Sequence, residues 1–331
     1  MRRPSGDDAV RRPPRTRRGR FVSRPLFAIL CSGQGAQHPG MFDLFADAPA
    51  AAPVFAAAAA VLGEDPVAFV RRDGAPIHDN VPAQILCCTQ ALAAMRTIAS
   101  GDGRLVIAGY SVGELAAWGC AGALDDGAVL RLARLRAEAM DRAAPANHGL
   151  AGLVGLRRGV LEPILGTAGA AIAIVNGEDS FVVGGARAAL DEVCARAAAA
   201  GATRTVILPV AVPSHTAWLA AAVEPFRVAL DAEGPRLPGG RIRLLSGLDG
   251  RTVWTLADGV LKLAAQIAQP IDWAACLESC RSAGAEIALE LGPGGALARM
   301  AQAYFPPGAA RTTADFATLD GLNAWLARSG G

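Results

Sequence analysis

The chain has 331 residues, 52% of them hydrophobic, with a mean hydropathy of +0.30 and a net charge of +2. That is ample for a large core, as one big α/β domain or a domain with a smaller companion. No apolar run approaches the roughly 20 residues that span a bilayer, and no secretion-type apolar segment stands near the start, so the expectation is a cytoplasmic protein with no membrane partner.

Residues 1–25 differ from the rest. They hold nine arginines against Asp7 and Asp8, a net +7 that leaves −5 for the remainder. Such a segment buries too little apolar surface to fold alone, so a disordered Arg-rich extension is expected there. Lys262 is the only lysine in the chain, so the arginines reflect a general bias and no nucleic-acid partner is expected. The seven cysteines lack paired spacing and read as reduced thiols. Cys276 and Cys280, four apart on an expected helix, read as packing residues rather than metal ligands.

Phe27-Ala28-Ile29-Leu30-Cys31 reads as a first buried strand, running into the loop Ser32-Gly33-Gln34-Gly35-Ala36-Gln37. Helices are expected over residues 50–62 and 82–99, the second with Pro82 in its first turn. A strand over 104–108 and a helix over 127–142 follow. Short strands are then expected at Leu150–Leu156, Ala171–Val175, Ser180–Val183 and Thr203–Leu208, separated by helices near 158–167 and 186–200. That β-α-β-β-α-β order matches a ferredoxin-like unit. It is expected over 149–213, inserted into a larger domain made of 26–148 and 214–331. Ile287–Leu291 reads as a late strand ended by Gly292-Pro293-Gly294-Gly295. The alternation argues for an α/β fold with a mainly parallel sheet covered on both faces.

The most informative stretch lies between the 104–108 strand and the Ala-rich segment after it: Gly109-Tyr110-Ser111-Val112-Gly113-Glu114-Leu115-Ala116-Ala117. Strand, Gly-x-Ser-x-Gly, helix is the nucleophile elbow. It exposes the serine at a strand tip, near the positive end of a helix. A serine hydroxyl needs a base. Of the four histidines, His38, His78 and His148 fall in loops. His215, in Pro213-Ser214-His215, ends an apolar run where the chain re-enters the large domain. An elbow also needs an oxyanion hole of backbone N–H groups. Val112 is one donor, and the Gly33-Gln34-Gly35 loop is the best source of the other.

Gly-Gln-Gly-Ala-Gln, Gly-x-Ser-x-Gly-Glu and Pro-Ser-His, in that order, make the chain resemble the malonyl-CoA:acyl-carrier-protein transacylases over roughly residues 26–310. The resemblance implies an α/β-hydrolase-like large domain with a ferredoxin-like insert. It implies Ser111 as acylated nucleophile, His215 as base, and Val112 and Gln34 as oxyanion amides. It implies malonyl-CoA and an acyl-carrier protein as partners, and no metal or redox cofactor. It also places Arg136, 25 residues after the serine, on the malonyl carboxylate. At about 100° per residue, Arg136 falls within an apolar stripe, while Arg131, Arg134 and Arg142 fall outside it. By the same resemblance Gln84 lines the acyl pocket and Asn176 lies near the cleft. The family orients its histidine with a backbone carbonyl, a position that Asp272 is expected to occupy.

Two departures narrow the resemblance. Tyr110 stands where the family usually has His, and Cys31-Ser32-Gly33-Gln34-Gly35 replaces the usual Phe-Pro-Gly-Gln-Gly. Gly-Tyr-Ser-Val-Gly-Glu-Leu-Ala-Ala-Trp-Gly looks most like the epsilon subunit of malonate decarboxylase. That branch implies as acceptor an acyl-carrier subunit bearing a phosphoribosyl-dephospho-CoA thiol, with other subunits of that enzyme as partners. A serine esterase or thioesterase is the rival, but neither Asp141 nor Asp179 falls at a convincing strand tip to complete its triad.

Overall fold

The computed structural model describes residues 26–98 and 104–329. The expected Arg-rich extension lies outside the described residues. Ten strands follow in chain order: β1 (Leu26–Cys31), β2 (Arg104–Gly109), β3 (His148–Val154), β4 (Ala171–Val175), β5 (Ser180–Ala186), β6 (Arg204–Ile207), β7 (Ile242–Leu244), β8 (Ile271–Asp272), β9 (Ile287–Leu291) and β10 (Ala310–Thr312).

One sheet is parallel throughout, in the order β10-β9-β1-β2-β7. Both faces of its central strands are covered, as parallel strands require. Phe27, Ile29, Leu105 and Ile107 pack on the side of the helices Ala52–Leu62, Asn80–Thr97, Val112–Cys120 and Asp126–Ala143. Ala28, Leu30, Val106 and Ala108 pack on the other, with Trp273 and Leu277. Within Asn80–Thr97 every residue from Ala83 to Ala94 is buried. A helix that deep has no solvent face, so its polar side chains need partners inside the protein, as Gln84 finds in Arg136 and Thr89 in the Ile85 carbonyl. Cys31 pairs with Gly109 and Leu291, so the loops after β1, β2 and β9 leave the sheet at one level.

The second sheet has the order β6-β3-β5-β4-β8. Its β3, β4, β5 and β6, with the helices Arg158–Ala168 and Arg187–Ala199, form the ferredoxin-like insert. The fifth strand comes from outside 149–213: β8 pairs parallel to β4. Two residues are too short for a strand pattern to register. Pairing also extends β5 to Ala186 and shifts β3 two residues earlier than its apolar run. No helix among the described residues is long and apolar enough to cross a membrane. All seven cysteines are free thiols.

Candidate active site

Ser111 adopts φ 56° and ψ −123°, a conformation that costs a non-glycine residue of order 1–3 kcal/mol. The two flanking glycines make the turn possible. A Cβ on Gly109 would lie 2.1 Å from the Gly113 carbonyl oxygen, and one on Gly113 would lie 2.1 Å from that of Cys31. The turn is held by Gly113 N–H donating to Tyr110 O and Glu114 N–H donating to Ser111 O, each at 2.9 Å. The Val112 amide, first of the fully buried helix Val112–Cys120, has no backbone partner among the described residues. It is one of the orphan donors of a helix start.

His215 also has positive φ, 63°, and is 1% exposed. Its Nε2 lies 2.8 Å from Ser111 Oγ. Its Nδ1 lies 2.5 Å from the Gln266 carbonyl oxygen. A carbonyl only accepts, so Nδ1 carries the proton and Nε2 is left to accept from the serine. Burial, then the charge of Arg136, push the His215 pKa down to about 3, against the pull of the Gln266 carbonyl. The imidazole is therefore neutral, as a base must be.

The orienting carbonyl corrects the expectation for Asp272. The Asp272 carboxylate instead accepts from Ala275 N–H at 2.9 Å and caps the helix Trp273–Ser282, while its amide donates to Gly247 O. Gln266 is the C-cap of the helix Leu256–Ala265, where carbonyls have no intrahelical partner and are free to take His215. A backbone carbonyl leaves no side-chain signature, so sequence spacing alone misplaces it.

The Gln266 side chain, fully buried, joins the elbow to the buried cation. Its Nε2 donates to Ser111 O at 3.0 Å and to Glu114 Oε2 at 3.2 Å, and its Oε1 accepts from Arg136 Nη2 at 3.1 Å. Arg136 is 1% exposed; Arg131 and Arg134, on the same helix, pair with Glu233 and Glu138 at the surface. Gln84 Oε1 accepts from Arg136 Nη1 at 2.7 Å, and Gln84 Nε2 donates to Asn80 Oδ1 at 2.8 Å. Arg136 Nε has no partner among the described residues. Burial lowers the Arg136 pKa to about 10, so it remains a cation, held by two amides and, among the described residues, by no carboxylate hydrogen bond. Glu114, buried and close by, has its pKa raised by burial to about 8 and is mostly neutral at pH 7.

The remaining expected residues fall around this center. Gly33 packs on the elbow, since a Cβ there would lie 2.8 Å from Tyr110 O, and this brings the Gln34 loop alongside Ser111. Gln37 braces the loop by accepting from Gly35 N–H and donating to Ile77 O. Asn176 is half-buried and hydrogen bonds to the Tyr110 hydroxyl, which places it behind the residue preceding the serine. A cavity of about 80 Å³ opens onto Ser111 and His215, lined also by Gln34, Leu150, Ile174 and Val182, the last three from the insert sheet. His38 and His78 are exposed, and His148 lies tilted against Trp218; none lines the cavity at Ser111.

The geometry is that of a serine acyltransferase or hydrolase, and comparison with known proteins decides between them. Residues 28–242 match the acyl transferase domain. The malonyl CoA-acyl carrier protein transacylase of Escherichia coli K12 is 30% identical over 281 residues, covering 81% of this chain and 89% of that protein. The solved transacylase of Coxiella burnetii superposes with a TM-score of 0.86 at 24% identity, over 94% of this chain and 100% of its own. A malonyl-transacylase solved in complex with a type II polyketide synthase acyl-carrier protein gives a TM-score of 0.78 at 26% identity, over 86% and 94%. The chain belongs to the acyl transferase domain family, and it is an acyltransferase.

Proposed function

We propose that the protein moves a malonyl group from malonyl-CoA through an ester on Ser111 to the thiol of an acyl-carrier protein. Arg136 is the observation that carries this reading. A guanidinium buried beside a nucleophile and held only by amides fits a substrate carboxylate in two hydrogen bonds. A neutral ester would give it nothing to bind.

The steps follow from the positions. His215 Nε2 takes the Ser111 proton as Oγ bonds to the thioester carbon. The amides of Val112 and Gln34 hold the oxyanion. The carbon–sulfur bond breaks, and the proton on His215 passes to the departing CoA sulfur. The malonyl ester then waits with its free carboxylate on Arg136, oriented with Gln84. A carrier thiol enters, gives its proton to His215, and its sulfur displaces Ser111 Oγ, which recovers that proton. The apolar wall of Leu150, Ile174 and Val182 keeps water from the ester.

The carrier we propose is the acyl-carrier subunit of malonate decarboxylase, with its phosphoribosyl-dephospho-CoA thiol. The Gly-Tyr-Ser-Val-Gly-Glu-Leu-Ala-Ala-Trp-Gly stretch, with Tyr110 where the family usually has His, supports that finer reading. Fatty acid or polyketide carriers are the alternative acceptors.

The test is intact-mass measurement after brief exposure to malonyl-CoA. Wild type should gain one malonyl group and Ser111→Ala none. Continuous CoA release with no adduct would instead make the protein a hydrolase.

A further inference from the structure

Glu290 is a carboxyl in the middle of a buried strand, and no acyl-transfer step above uses it. All five residues of β9 are buried, and Glu290 is 1% exposed. A carboxyl there is costly unless its oxygens are hydrogen bonded. Both are: Oε1 accepts from the Ser32 hydroxyl at 2.7 Å, and Oε2 accepts from Ala298 N–H at 2.8 Å, at the start of the helix Ala296–Ala301.

Ser32 is the residue on which the chain leaves β1, and Gly33-Gln34-Gly35 follow it. Register places Glu290 beside Leu30, two residues before Ser32, so the carboxyl reaches forward along the sheet to the loop. The fit around Ser32 is tight. A Cβ on Gly292 would lie 2.4 Å from both Cβ and Oγ of Ser32. The Ser32–Gln34 segment thus runs between the loop after β9 and the elbow after β2.

We infer that the Ser32–Glu290 hydrogen bond is a latch that holds the first loop against the elbow, which makes both residues positioning residues for the Gln34 amide at the oxyanion. The inference rests on the acyl-transfer reading. Where a proline stands at this position its ring fixes φ near −65° and needs no partner. Serine brings no such restraint, and the bond to Glu290 replaces it. At 2.7 Å the bond has ordinary hydroxyl–oxygen length, and although burial raises the Glu290 pKa, the bonds from Ala298 and Ser32 pull it back down.

Rapid-quench mass measurement of Ser111 acylation by malonyl-CoA tests this in wild type, Ser32→Ala, Ser32→Pro and Glu290→Gln. Removing an oxyanion donor outright costs roughly 10²–10³ in rate, so a loosened donor should cost a part of that. Ser32→Ala is expected to lower the maximal acylation rate by about 10- to 100-fold, with half-saturating malonyl-CoA changed by less than about threefold. Ser32→Pro should recover most of the rate, a rescue that lost packing alone would not give. Glu290→Gln, which keeps one acceptor oxygen, should fall between. A wild-type rate in Ser32→Ala, or a change confined to half-saturation, overturns the latch. Should Ser32→Ala fail to fold, wild-type maximal rates in Glu290→Gln overturn it equally. If wild type itself takes no malonyl, the acyl-transfer reading falls and the latch with it.

Discussion

In the parallel sheet every residue of β1 and β9 is buried, whereas β6 of the insert alternates between exposed and half-buried positions. The chemistry lies on the first sheet. Ser111, the Gln34 loop and the Ser32–Glu290 bond all sit where its central strands end at one level. The insert adds Leu150, Ile174 and Val182 as a wall and Asn176 behind the elbow, and no reacting group. Strands fixed on both sides and both faces hold backbone amides and a strained serine still. The insert's inner strands β3 and β5 are largely buried as well, and only its edge strand β6 is open, so its side chains can shape the cavity wall while that edge tolerates change.

The largest effect should come from the same substitution made in each sheet's neighborhood. Gly113→Ala would drive a methyl to 2.1 Å from the Cys31 carbonyl oxygen and 2.8 Å from that of Ser32, backbone that cannot swing aside. It should cost more than about 4 kcal/mol, read as loss of soluble protein or a collapse in denaturant midpoint. Gly185→Ala in β5 meets its first neighbor, the Ala170 methyl, at 3.3 Å. It should change stability by less than about 1 kcal/mol and leave acylation intact. Equal effects would break the contrast between the sheets.

A smaller effect concerns pH. An ordinary histidine loses its basicity below about pH 6.5. His215, held to about 3, should keep single-turnover acylation flat from neutral pH down to about pH 5. Stability carries the same sign: the unfolded chain binds a proton here that the native one refuses, so this contribution is present above about pH 6.5 and is lost as pH falls toward 3. Glu114 acts oppositely. Its raised pKa gives a contribution present below the ordinary carboxyl range and lost as pH rises through about 8. An acid limb near pH 6.5 in the acylation rate would show that His215 is not desolvated as described.

Much of this was legible in the residues. Gly109, Ser111 and Gly113 read as an elbow because the backbone there tolerates so few alternatives, and Arg136 stood out as a charge on an apolar stripe. The ferredoxin-like order was legible from strand and helix alternation. The two-residue β8 was not, because pairing rather than propensity makes it a strand. Gln266 escaped notice because its orienting group is a backbone carbonyl and its amide works through three separate partners. Matching its stretch to the family's carbonyl position gives Asp272 the role, whereas the carbonyl that His215 meets belongs to Gln266, six residues earlier, and Asp272 caps a helix. Glu290 and Ser32 are 258 positions apart, and only the β1–β9 pairing brings them together.

The central claim is that a buried guanidinium selects a carboxylate-bearing acyl group for Ser111. Arg136→Ala tests it most directly, by comparing initial rates of Ser111 acylation from malonyl-CoA and acetyl-CoA. The account predicts that the malonyl-to-acetyl ratio falls by about 10²-fold, as expected when a buried charge-assisted pair is lost, while acetyl labeling persists. A ratio unchanged from wild type would contradict it.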